Sequence, residues 1–289
     1  MIAERALPTN SRRPRDDELD VYGLTHTGKV RPENQDHFLV GSLRGRLNVL
    51  VSSLPNTETL PVEEERVASF MMVADGVGGG RKGEEASRTA VEEVAQFITE
   101  GAGCYFRSGD SERHFIRALE QAARSWHDTV RKRAASDPDN VGMATTLTLF
   151  IGVWPWSYLV QVGDSRYYTY ANGVLTQISR DQTVAQALVD QGIMTKTLSE
   201  KSPLSNVLAS SIGGPQTAPV ITRLPISWGS VHLICSDGLT KHVSDERIAE
   251  RLGAMESSKQ VCEVLLQDAL DAGGTDNITI VVGRTVPKT

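Results

Sequence analysis

The 289-residue sequence predicts an α+β fold in which two antiparallel sheets stack face to face and helices cover the outside. Three observations point there. Strand-like runs over 144–153, 157–162, 165–170 and 174–178 are joined by short turns, Asn172-Gly173 among them, and turns that short force antiparallel pairing. Amphipathic helical stretches come early, at 84–99 and 111–135, and again late, at 245–252 and 258–271. Five times an aspartate stands at the edge of an apolar strand-like run beside Gly, Ser or Asn: Asp36, Asp75, Asp164, Asp237 and Asp276.

Taken in order, residues 1–18 are polar, with Pro8, Pro14 and mixed charges, and are expected as a disordered lead-in to a single domain over 19–286. Alternation predicts a strand at 19–24. A polar loop, 25–36, precedes a strand at 38–40, with which 47–51 is expected to pair. Residues 52–69, with Pro55, Pro61 and the acidic run Glu63-Glu-Glu65, read as an insertion forming a solvated loop or short helix. The run 70–74 is a short buried strand that stops at Asp75, followed by glycines 76, 78, 79, 80 and 83.

The next helix carries an apolar stripe that includes Ala86, Ala90, Val94 and Phe97, behind an acidic first turn suited to the helix dipole. In the second, Phe115, Leu119, Trp126 and Val130 keep helical spacing and read as core. Residues 137–142 break that helix, and the strands named above follow. A short helix at 182–190 leads into 191–203, poor in hydrophobic residues and suited to a mobile flap. Strands at 220–224, 231–235 and 278–282 complete the sheets, with the late helices between the last two.

Composition is that of a soluble globular protein, 39% hydrophobic and 23% charged. A net charge of −6 argues against a nucleic-acid surface. Three cysteines without metal-ligand spacing point to a reducing compartment and no zinc site. With no signal-peptide core and no apolar run of 18 residues, a cytoplasmic protein without membrane attachment is expected.

Any one of the aspartates alone reads as a turn residue or helix cap. Five of them make a shared acidic site around Asp75 the stronger reading. Carboxylates without histidine or cysteine partners are hard oxygen ligands that select Mg²⁺ or Mn²⁺. Two such ions about 3.5–4 Å apart, bridged by a carboxylate and a water, hold that water for in-line attack on a phosphoryl group. No nucleophilic side chain is needed. Arg31 shares the loop of Asp36 and has the forked guanidinium that grips phosphate, although an isolated arginine is more often a solvated surface group. Arg166 is expected to pair structurally with a buried carboxylate. Strand alternation aims His37 away from Asp36, toward packing.

Six motifs in order cover nearly all of 22–282: Gly28-Lys-Val-Arg31-Pro-Glu-Asn34-Gln35-Asp36, Ala74-Asp75-Gly76-Val-Gly78-Gly79 with Gly83-Glu84-Glu85-Ala86-Ser87, Gly142-Met-Ala-Thr145-Thr146-Leu147, Gly163-Asp164-Ser165-Arg166, Ser236-Asp237-Gly238-Leu239, and Asp276-Asn277-Ile278-Thr279. The set resembles the metal-dependent type 2C protein serine/threonine phosphatases in their bacterial form. The resemblance implies a four-layer α/β/β/α sandwich with the metal site in a cleft between the sheets. By matching position it implies that Asp75 bridges two metals, Gly76 lends its carbonyl to the second, and Asp237 and Asp276 complete the first. It further implies that Asp36 holds waters on the metals, that Asp164 with Asp237 forms a third metal site, that Arg31 binds phosphate, and that a flap spans 187–208.

Three departures stand out. Val77 replaces a histidine proposed as general acid in eukaryotic members, Gln182 replaces a usual histidine, and the 52–69 insertion is long. The implied function is Mg²⁺- or Mn²⁺-dependent hydrolysis of phosphoserine and phosphothreonine in proteins, with targets of a serine/threonine kinase, or the kinase itself, as partners of a monomer. Two other readings stay open: a silent phosphoprotein-binding module, disfavoured because all five aspartates are present, and a phosphatase of a small phosphate ester.

Overall fold

Residues 12–45, 65–79, 81–102 and 112–288 are described by a computed structural model. In chain order the elements are β1 (Leu19–His26), β2 (Asp36–Gly45), β3 (Glu65–Val77), α1 (Arg81–Phe97), α2 (Glu112–Ser136), β4 (Ala144–Thr145), β5 (Leu147–Val153), β6 (Trp156–Val162), β7 (Arg166–Ala171), β8 (Val174–Gln177), α3 (Val184–Asp190), α4 (Lys196–Glu200), β9 (Val220–Pro225), β10 (Val231–Cys235), α5 (Asp237–Thr240), α6 (Asp245–Gly253), α7 (Ser258–Asp271) and β11 (Ile278–Thr285). One sheet has the order β1-β11-β10-β7-β8. The other runs β2-β3-β5-β6-β9, with β4 paired to the end of β3. All pairings are antiparallel, as the short turns require.

β3 shows why the chain folds in layers. Phe70 and Met72 pack outward with Ala90 and Val94 of α1 and Leu119 and Trp126 of α2. Met71 and Val73 pack inward with Phe150, Tyr167, Ile234 and Val281, between the sheets. Both faces of the strand are covered, so its apolar letters run on without alternation. On the far side, Ile248 and Leu252 of α6 and Val261 and Leu265 of α7 close over Leu233, Ile280 and Val282. The result is the expected helix, sheet, sheet, helix sandwich.

Five expectations change in detail. Residues 65–69, read as part of the insertion, belong to β3 and pair with β2 from Arg44↔Arg66 through Ser42↔Ser69. Their polar letters hid a strand because Arg66, 8% exposed, is buried against Asp16. The remainder of the insertion and the strand expected at 47–51 lie outside the described residues. Within the lead-in, residues 12–18 are placed: Glu18 is wholly buried and accepts from Arg12 at 2.6 and 2.8 Å and from the Arg15 backbone at 2.7 Å. The expected flap stretch 191–203 contains α4, whose N-terminus is capped by Thr195. Finally, α1 begins at Arg81 rather than at 84, and β10 runs into the short helix α5.

Candidate metal centre

The glycine after Asp75 is dictated by packing. A Cβ at Gly76 would stand 2.1 Å from the Gly83 carbonyl oxygen, so only glycine lets the end of β3 and the start of α1 touch. Gly28 plays the same part in the Arg31 loop: its φ is +84° and a Cβ there would stand 2.2 Å from the Asp276 carbonyl oxygen. Asn277 pins that loop further, accepting from Gln35 N at 2.9 Å and donating to the Thr27 and Glu33 carbonyls at 2.9 Å. Close backbone approaches thus bring the first and last motifs of the chain together.

Strand register does the rest. Asp36 and Asp75 are direct partners across β2 and β3. Asp237 opens α5 where β10 ends, and Asp276 precedes β11, the neighbour of β10. Asp75, Asp164, Asp237, Asp276, Gly76 and Arg31 line one cleft of about 1370 Å³ between the sheets. Asp36 lies behind the wall, 3% exposed; Thr279 Oγ1 donates to its Oδ2 at 2.7 Å, while its buried Oδ1 has no partner.

The electrostatics record the crowding. Burial, then repulsion from Asp36, Asp237, Asp164 and Asp276, pushes Asp75 far above the ordinary carboxylate range. Asp164 is pushed up to about 8 by burial and by Asp237 and Asp181. Asp36 rises to about 6, mainly through burial, against the hydrogen bonds of Thr279 and Ser236. Asp237 is raised by burial despite its ion pair with Lys241. For Asp276, burial is outweighed by hydrogen bonds from Arg31 and Lys241, and its carboxyl is lowered.

Lys241 is the residue that sequence reasoning missed. Its Nζ stands 2.6 Å from Asp237 Oδ2 and 2.8 Å from Asp276 Oδ2. The available signal was its position four residues after Asp237, one helical turn on. Arg31 meets the other side of Asp276, with Nε at 2.8 Å from Oδ1 and Nη2 at 3.0 Å from Oδ2. Among the described residues no three His, Cys, Asp or Glu side chains stand as a ready cage for an ion. The donor set still fits a hard divalent cation. It offers oxygens and no nitrogen or sulfur ligand, its carboxylates repel one another, and Asp36 Oδ1 is buried without a hydrogen-bond donor.

The protein phosphatase 2C family model matches residues 51–273. The chain belongs to the protein phosphatase 2C family. Serine/threonine protein phosphatase PstP of Mycobacterium tuberculosis is 34% identical over 219 residues, which span 76% of this chain and 41% of that protein. This chain therefore matches less than half the length of PstP. Serine/threonine phosphatase stp of Listeria monocytogenes is 29% identical over 259 residues, covering 89% of this chain and 92% of its own. The crystal structure of the catalytic domain of PstP in complex with two manganese ions superposes with a TM-score of 0.73 at 29% identity, over 93% of this chain and 99% of that one.

Two of the departures from the phosphatase 2C pattern lie among the described residues near the cleft. Gln182 accepts from Gly163 N at 2.9 Å and donates to the Ala218 carbonyl at 3.0 Å, tying the Asp164 turn to the segment beyond the flap. Val77 is 40% exposed and lines the cleft. Arg166 makes its structural pair with Asp181 at 2.8 Å, and His37 bonds to Ser87 Oγ at 2.9 Å. Among the described residues no helix is long and apolar enough to cross a membrane.

Proposed function

We propose that the chain hydrolyses phosphoserine and phosphothreonine in proteins with Mg²⁺ or Mn²⁺ in the cleft. The observation that carries this reading is the set of five aspartates from five motifs, all of which raise or feel one another's charge around Asp75. Divalent cations, when bound, would supply the charge that makes water a nucleophile at neutral pH and would neutralise the phosphate dianion. Asp75, the Gly76 carbonyl, Asp237 and Asp276 would hold two ions, and Asp164 with Asp237 a third. Asp36, fixed by Thr279, would orient water at that centre. Arg31, 55% exposed at the cleft, would grip the phosphate oxygens as a fork. α3, α4 and the chain to Leu208 wall one side of the cleft and would shape access to a protein substrate. The partners would be phosphoproteins made by a serine/threonine kinase in the cytoplasm, met by a monomer.

The test is hydrolysis of a phosphothreonine peptide and of para-nitrophenyl phosphate by wild type and Asp75→Ala, with Mn²⁺, Mg²⁺ or chelator. Turnover that needs the metal, vanishes in Asp75→Ala and favours the peptide supports the proposal. Inactivity of the folded, metal-loaded wild type toward both substrates contradicts it and favours a binding role.

A further inference from the structure

A second cavity, of about 320 Å³, opens between the sheets at the end opposite the acidic cleft. Ser42 lines it and stands six residues along β2 from Asp36, or about 20 Å at the rise of a strand. Its inner walls are mostly apolar, with Val40, Met71, Phe150, Trp154 and Ile226, and carry His232 and Ser69 among them. Its volume is at the small end of ligand pockets, which fits one short apolar body.

The mouth has the opposite character. Arg13, Arg44, Arg66 and Arg284 line it, and Asp16 is the one carboxylate among the described lining residues. Arg284 has its own partner in Asp20 at 2.9 Å. Arg44 and Arg66 share Asp16, with Arg44 Nη2 at 2.6 Å from Oδ2 and Arg66 Nη1 at 2.7 Å from Oδ1. A single described carboxylate therefore serves two guanidinium groups, of which Arg66 is almost wholly buried and further bonded to the Pro14 carbonyl. Burial pulls the pKa of Arg66 down, Asp16 opposes this, and Arg13 and Arg44 add to it. Among the described residues the buried Arg66 thus shares its one carboxylate partner, and a second anion at the mouth would add to its counter-charge.

We propose that this cavity binds a small free monoanion with an apolar body, a medium-chain or aromatic carboxylate. Its head group lies on Arg44 and Arg66 and its hydrocarbon against Met71, Phe150 and Ile226. A guanidinium pair favours a planar carboxylate, and the dry wall selects against a bare inorganic ion. The site shares β2 and β3 with the acidic cleft but uses none of its residues, so it does not depend on the phosphatase reading.

Calorimetric titration of the full chain with octanoate, and separately with octanol, tests it. Octanoate is expected to saturate one site on wild type at least about tenfold more tightly than octanol. Arg44→Gln, at a side chain 39% exposed, is expected to remove most of that difference while leaving octanol binding in place. Ser42→Phe, which puts a ring into the cavity, is expected to abolish both. No saturable binding of octanoate, octanoate no tighter than octanol, or octanoate binding unchanged in both variants would each overturn the proposal.

Discussion

At Gly76 the backbone of α1 comes so close that an added methyl group would overlap the Gly83 carbonyl. Gly76→Ala is expected to lower stability by about 1–3 kcal/mol, read by urea or thermal unfolding, as for other forced overpacking. An unchanged midpoint would show that α1 can retreat freely. Lys241 makes a different kind of prediction. Its ammonium sits on Asp237 and Asp276 and competes with any cation they hold. Lys241→Met should therefore tighten Mn²⁺ binding, by up to about tenfold for the loss of one partly screened positive charge. Weaker binding in that variant would mean that the ammonium arranges the carboxylates rather than competing for them. The five aspartates were legible because each follows or precedes a strand beside small residues. Lys241 was not, because its spacing of four from Asp237 is a signal only once the turn after β10 is known to wind into α5.

Among the elements, the sheets were easiest to read and the segments at their edges hardest. Turns such as Asn172-Gly173, with both residues at positive φ, announce their hairpin directly. The first residues of β3 did not, since a buried arginine held by a distant aspartate looks in the sequence like a solvated one. The flap shows the same difficulty. Thr195 caps α4, yet Leu198 is the one apolar residue within it, whereas α3, VAQALVD behind its Thr183 cap, was readable as a short helix. Where the chain enters the flap, the Gln182 side chain adds one bond to the Asp164 turn and one to Ala218 to the backbone bonds that Gln182 makes with Gly163 and Ala209. Gln182→Ala should leave the sheets intact and speed hydrogen exchange across 183–208, by roughly tenfold for about 1–1.5 kcal/mol of lost hydrogen bonding. Exchange that is unchanged there, or raised throughout the protein, would contradict this anchoring role.

Across the whole molecule, His232 reports on the packing of sheet against sheet. It bonds to the Tyr167 hydroxyl at 2.7 Å, and burial pushes its pKa down to about 4. A base lowered in the folded state gains a proton on unfolding, so its stabilising contribution is present above about pH 6.5 and is lost as pH falls toward 4. His232→Gln lacks this term, and its stability deficit against wild type should narrow as pH falls from about 6.5 toward 4.5, by about 1.4 kcal/mol per pH unit. A gap that stays constant would place His232 in contact with solvent protons in the fold.

The central claim is that strands from both sheets converge their aspartates on one divalent-cation site. Calorimetric titration with Mn²⁺ of wild type and Asp75→Asn, at equal pH and with folding checked by circular dichroism, tests it most directly. The account predicts that wild type takes up at least two ions and that the folded variant loses at least one of them. Equal uptake by the two proteins, or none by wild type, would contradict it.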